Sequence, residues 1–306
     1  MGFCNRLSKP CLAMVAVVVA TMTGCTAGVA SATPAYPADP GAMTVSAGEN
    51  FYGDLLHQLG GSKLRVYAFL SNPNADPHQY ESNAGNARAV ADSRLVIENG
   101  LGYDAFMDRL LSASPRASRV VINVQRVVGA HDGANPHLWY DPVVMPRVAQ
   151  VVADALVRID PAHGVGYRAN LASFLASLAP IGERVAALKA RFRGTPVAFT
   201  EAVYGYMADA LGLTIRSPQA FMNAVEDGND PPTRAVADEQ DLLTGRQVKA
   251  LLFNSQAVTP LTSAIRDLAR RSGVPVVGIS ETEPAGKTYQ QWQLEQLDAV
   301  GAALNR

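Results

Sequence analysis

Two of the five histidines in this 306-residue chain sit directly behind a proline. His78 lies in "NADPHQYE" (74–81) and His137 in "NPHLWYDP" (135–142). Proline fixes its own φ and biases the residue before it toward extended backbone. A loop stiffened in this way loses less conformational entropy when its imidazole is locked onto a ligand. Neutral imidazole is a ligand for divalent transition metals. Two acids complement the pair: Glu201, which follows "PVAFT", and Glu281, which follows "VPVVGI". Two neutral imidazoles and two ionised carboxylates would supply two nitrogen donors and two negative charges, enough to neutralise a divalent cation. Glu283 competes with Glu281, because it falls on the same side of an extended backbone. Glu201 has a second reading, as an acid placed at a helix start to satisfy the dipole.

These four residues share a place in the pattern of elements. "MTVSAG" (43–48), "KLRVYAFL" (63–70), "RLVIENG" (94–100) and "RVVINV" (119–124) read as strands separated by short helical segments. "TPVAFTE" (195–201), "LTIRS", "VKALLFN" (248–254) and "VPVVGIS" (274–280) repeat the alternation. Strands alternating with helices predict parallel α/β sheets. In such sheets ligands bind beyond the carboxyl ends of the strands, which is where His78, His137, Glu201 and Glu281 fall. Asn50 is placed to cap the helix "FYGDLLHQLG", and Asp141-Pro142 to start the helix that follows. Between the halves, "YRANLASFLASLAPIGERVAALKARF" carries Leu171, Phe174, Leu175, Leu178, Ile181, Val185, Leu188 and Phe192 on one stripe. Its 26 residues would reach roughly 39 Å at about 1.5 Å per residue. Pro180 should kink it. The expected fold is therefore two α/β lobes with parallel sheets, joined by one long helix, with the site in the cleft between them.

The first residues have another purpose. Arg6 and Lys9 precede an apolar run from Leu12 to Met22, which is too short for a membrane helix of about 20 residues and fits a secretory signal. Met22-Thr23-Gly24-Cys25 resembles a bacterial lipobox, with cleavage before an acylated Cys25. Cleavage further on, near Ala30-Ser31-Ala32, is the alternative. All three cysteines, Cys4, Cys11 and Cys25, lie in this region. A processed chain would then hold no free thiol, so thiolate ligands and cysteine nucleophiles are excluded. "TAGVASATPAYPADPGA" reads as a semi-extended tether. The expected division is a signal over 1–24, a lipidated tether over 25–42, a first lobe over 43–162, a linking helix over 163–193 and a second lobe over 194–306. A net charge of −1 gives no basic surface for nucleic acid.

Six segments carry a family resemblance: "ENFYGDLLHQLGG", "SNPNADPHQYE", "VIENGLGYDAFMDRLL", "NPHLWYDP", "FTEAVYGYMADALGL" and "VPVVGISET". In order and spacing they resemble the metal-binding solute-binding proteins of bacterial ABC importers, the zinc/manganese type, from about residue 44 to the C-terminus. The resemblance implies two lobes bridged by a rigid helix and a metal held by two ligands from each lobe. By motif these are His78, His137, Glu201 and Glu281. It also implies a permease with its cytoplasmic ATPase as partners; the lipobox implies a lipid anchor on the cell membrane, and a monomer is expected. Zinc-specific members often have a third histidine at the Glu201 position and a His-rich loop, and this chain has neither. Two imidazoles with two carboxylates suit Mn²⁺ or Fe²⁺, while Zn²⁺ should bind at least as tightly by the general affinity order.

Other readings are weaker. A metallohydrolase would need an open metal position, and no catalytic signature accompanies the four residues. A surface adhesin, a role credited to some relatives, has no feature of its own here. His131 reads as a solvated loop residue, His57 as a packing residue on a helix and His163 as structural. Trp139 and Tyr140 should pack beneath the loop that carries His137. "EDGND" (226–230) lacks the spacing of a calcium loop and reads as a turn.

Overall fold

The computed structural model describes residues 1–2, 36–73 and 76–306. The signal segment, Cys25 and the first part of the tether lie outside the described residues. Among the described residues, eight strands form two sheets of four. The first holds β1 (Met43–Glu49), β2 (Leu64–Leu70), β3 (Leu95–Glu98) and β4 (Val120–Asn123) in the order β2-β1-β3-β4. The second holds β5 (Pro196–Phe199), β6 (Thr214–Ile215), β7 (Leu251–Asn254) and β8 (Val276–Ile279) in the order β6-β5-β7-β8. Every pairing is parallel. A parallel sheet needs both faces covered. Accordingly β3 and β7 are buried along their whole length, with helices packed against each sheet.

The two sheets are bridged by the helical stretch Pro161–Phe192, 32 residues long. By length and hydropathy it would also pass for a membrane span. In the fold it lies instead against the helices Asn50–Gly60, Val144–Ile159 and Tyr289–Leu304. The α-helical hydrogen bonding breaks at Leu178, between the segments Gly164–Ser177 and Ala179–Phe192, with Pro180 in the first turn of the second. A proline has no N–H to donate to the preceding turn, and the helical hydrogen bonding is interrupted two residues before Pro180. Leu171, Phe174, Ile181 and Leu188 are buried along this helix. Leu175, which was expected on the same stripe, is exposed, because each helical residue turns about 100° from its neighbour and Phe174 already points inward.

Several boundaries differ from the sequence expectation. β3 ends at Glu98 because Gly100, Leu101 and Gly102 all take positive φ (82°, 57° and 80°), which no strand can accommodate. β4 ends at Asn123, whose side chain accepts from Arg126 N and starts a short helix, Val124–Val128. The helix after Asp141-Pro142 begins at Val144, because Asp141 accepts from Val143 N in a turn before it. Asn50 does not cap its helix; its amide is used across the cleft, as described below. The helix Gln219–Glu226 was not anticipated. "EDGND" is a turn, with Asp227 closing that helix and Gly228 at φ 67°.

Candidate metal centre

The two Pro-His steps fold by one device. In the first, Asp76 Oδ1 accepts from the backbone N–H of His78 (2.9 Å), inside the 3-10 turn Pro77–Gln79. In the second, Asn135 Oδ1 accepts from the backbone N–H of His137 (3.0 Å). An aspartate or asparagine bonding the backbone two residues on makes a compact turn, and the intervening proline presets it. Asn135 does more: its Oδ1 lies 2.6 Å from His137 Nδ1. That contact places the proton on Nδ1 and leaves Nε2 to face the cleft. Asn135 Nδ2 donates to Ala202 O in the second lobe (2.7 Å), so one side chain shapes the loop, sets the tautomer and joins the lobes. Trp139 and Tyr140 are fully buried beneath this loop, and the Trp139 ring sits 5.3 Å from that of His137.

The acids come from the second sheet. Glu201 stands two residues beyond β5 and Glu281 two residues beyond β8. Asn254, the last residue of β7, lies between those strands. His78 Nε2 is 3.3 Å from Glu201 Oε1 and 3.6 Å from Glu281 Oε2. His137 Nε2 is 3.8 Å and 3.3 Å from the same two oxygens. Each of the four residues offers one donor atom within 4.8 Å of the others. His137, Glu201 and Glu281 are buried, and His78 keeps 26% of its side-chain surface exposed. The structure thus brings together all four residues singled out in the sequence.

Glu283 does not join them. Burial, reinforced by the neighbouring Asp54 carboxylate, pushes its pKa up to about 9, and its backbone is gripped from the first lobe. Asn50 Nδ2 donates to Glu283 O (2.7 Å), and Glu283 N donates to Asn50 Oδ1 (3.0 Å). His57 stacks on Tyr36 at 3.8 Å, His131 bonds the Asp132 carbonyl on the surface, and His163 pairs with Asp160.

Burial disfavours charge on the two cluster histidines, but the carboxylates outweigh it. For His78, burial pulls the pKa down, while the Glu201 hydrogen bond and the charges of Glu281, Glu201 and Asp76 lift it to about 9. His137 is raised for the same reason, chiefly by Glu281. Burial would raise Glu281, yet the His137 hydrogen bond and both imidazolium charges hold it below its usual range. The carboxylates thus favour protonated imidazoles in the metal-free site, and a divalent cation would take over that charge balance.

Two neighbours carry no sequence signal of their own. Tyr103 OH donates to Glu281 Oε2 (3.1 Å), and its ring lies 5.8 Å and 5.9 Å from those of His78 and His137. Asn254 Nδ2 donates to both acids, to Glu201 Oε2 (2.6 Å) and Glu281 Oε1 (2.7 Å). Tyr103 sits in the positive-φ loop after β3, and Asn254 ends an apolar strand; only the folded sheet shows what they face.

Two parallel-sheet lobes linked by one long helix, with two imidazoles and two carboxylates converging in the cleft, define a metal-capturing protein of the two-lobed solute-binding class. The chain belongs to the family of the periplasmic zinc-uptake complex component A (ZnuA), whose profile matches residues 45–303. It is 24% identical over 315 residues to the manganese-binding lipoprotein MntA of Halalkalibacterium halodurans, spanning 98% of this chain and 100% of that one. It is 24% identical over 259 residues to the zinc-binding protein TroA of Treponema pallidum, spanning 78% and 81%. The solved structure of the T. pallidum periplasmic zinc-binding protein TroA superposes with a TM-score of 0.74 at 20% identity, covering 87% of this chain and 100% of that one; it shares the fold. The protein is thus a metal-binding, extracytoplasmic solute-binding component of an ABC uptake system, in a family of transport proteins rather than enzymes.

Proposed function

We propose that the chain captures one divalent first-row transition metal through His78 Nε2, His137 Nε2, Glu201 Oε1 and Glu281 Oε2, and delivers it to a membrane permease driven by a cytoplasmic ATPase. The observation that carries this reading is that each of the four residues offers one donor atom within 4.8 Å of the others. Binding needs both imidazoles neutral and both carboxylates ionised, so capture releases the protons that the site otherwise holds. With four protein donors a Zn²⁺ shell is filled, as in closed zinc sites, leaving no position for a reacting water.

The cargo on this reading is Mn²⁺ or Zn²⁺, with Fe²⁺ as a further candidate. The relatives divide the same way, one named for manganese and another for zinc. Carboxylates favour the harder ion, while Zn²⁺ leads Mn²⁺ in equilibrium affinity. Selection would then lie partly in release to the permease. Acylation at Cys25 would tether a monomer to the outer face of the membrane. The chain would divide into a signal (1–24), a tether (25–42), a first lobe (43–162), a linking helix (163–193) and a second lobe (194–306). Elemental analysis after defined loading with Mn²⁺ and Zn²⁺, separately and in competition, tests the reading. About one metal per chain is expected, and a chain that retains no divalent metal would refute it.

A further inference from the structure

We propose that Asn254 is a specificity-determining residue of this site: by bonding one oxygen of each carboxylate it keeps both monodentate and fixes the metal's coordination number at four. The inference rests on the assignment of Glu201 and Glu281 as ligands. Asn254 ends β7, the strand between β5 and β8, so it lies midway between the acids that follow its neighbours. Its backbone N donates to Thr200 Oγ1 (2.9 Å), and its side-chain Oδ1 accepts from Gln256 N (2.9 Å). With the carbonyl end taken by a donor, the amide can present only its NH₂ group to the acids. Its two hydrogens are divided between Glu201 Oε2 and Glu281 Oε1.

One oxygen of each carboxylate then remains facing the imidazoles, Glu201 Oε1 and Glu281 Oε2. A carboxylate held in this way coordinates through a single oxygen. An oxygen that accepts one hydrogen bond keeps a second lone pair, as Glu281 Oε2 does beside Tyr103. The amide, however, sits between the two outer oxygens, so turning either one to the metal would stretch or break a buried hydrogen bond, which costs free energy. Two nitrogens and two oxygens make a four-donor shell. Zn²⁺ accepts four donors readily, whereas Mn²⁺ favours about six, mostly oxygen. The amide thus works against the preference that the carboxylates themselves confer, and tilts the site toward ions content with four ligands. Tyr103, on the inner oxygen of Glu281, steers that oxygen without competing for the outer one.

The test compares purified wild type with Asn254→Ala. Zinc X-ray absorption gives the number of first-shell donors, and Zn²⁺/Mn²⁺ competition gives the affinity ratio. Wild type should show four nitrogen or oxygen donors. Asn254→Ala should show five or more, with the Zn²⁺-over-Mn²⁺ ratio falling about tenfold or further, on the scale of outer-shell partners. Equal weakening of both metals around an unchanged four-donor shell would overturn the proposal. Five or six donors in the wild-type zinc protein would overturn it too, and that measurement decides the matter if the variant does not fold. A wild type that binds no metal would instead sink the reading of the site itself.

Discussion

At the scale of single residues, the four proposed ligands differ in how firmly they are held. His137 is buried and fixed by Asn135 through both its backbone and its ring, and the acids share the Asn254 amide. His78, partly open to solvent, is held through its own turn and through Glu201, with Glu281 and the Tyr103 ring beside it. All four should still be required: His78→Ala is expected to lower metal affinity by more than about a hundredfold, beyond the usual effect of an outer partner, as read by chelator competition. Glu283→Gln should leave stoichiometry unchanged in the same assay, because its carboxyl faces Asp54 rather than the cluster. The raised histidines set the pH behaviour. In the metal-free protein, the protonated His78 pair contributes stability that is complete below pH 6.5 and lost as pH rises through about 9. Metal affinity should move the other way and strengthen across the same window, since each bound metal displaces protons. The Glu281 contribution is present above pH 4.5 and lost as pH falls below it. Calorimetry in buffers of different ionisation enthalpy should show about one to two protons released per metal near neutral pH; none would contradict the protonated-pair account.

At the scale of elements, the segment from Ser280 to Tyr289 is worked from the opposite lobe. Tyr140 OH donates to Ser280 O, Tyr103 OH to Glu281, Asn50 clasps the Glu283 peptide, and Tyr289 N donates to Asp54. Glu281 is therefore positioned from both lobes, by Asn254 and Gln256 of its own and by Tyr103 and His137 of the other. Asn50→Ala should remove two bonds and cost about 1–3 kcal/mol of stability, measured by urea unfolding, while speeding metal dissociation; an unchanged dissociation rate would show that the clasp is only structural. This clasp also marks a limit of sequence reading. The strand-loop positions of His78, His137, Glu201 and Glu281 followed from alternation and from the rule that parallel sheets bind ligands at strand ends. Asn50 looked like a helix cap because its local surroundings fit one, and only the fold reveals a peptide 233 residues away that offers both a donor and an acceptor. Likewise the choice between Glu281 and Glu283 turns on which first-lobe residues each side chain meets, His137 and Tyr103 or Asp54, which spacing alone leaves open. Asn254 ends an apolar strand, and nothing local distinguishes it from a turn residue.

For the whole molecule, the linking helix and the cross-lobe bonds constrain motion. A helix spanning both lobes resists the wide hinge opening that extended linkers permit, so small lobe tilts and movement around His78 are expected. Metal-free and metal-bound crystal structures should differ by only a few degrees in lobe orientation; a large rigid-body opening would contradict this. Because metal binds only the folded chain, free metal at 100 times Kd should add about 2.7 kcal/mol of stability, visible as a rise in Tm that a chelator reverses. The most direct test of the central claim is anomalous diffraction from crystals of the metal-loaded protein. The account predicts one peak in the cleft, about 2.0–2.2 Å from nitrogen and oxygen ligands contributed by His78, His137, Glu201 and Glu281. A metal bound elsewhere, or one in the cleft that ignores either lobe's pair, would contradict it.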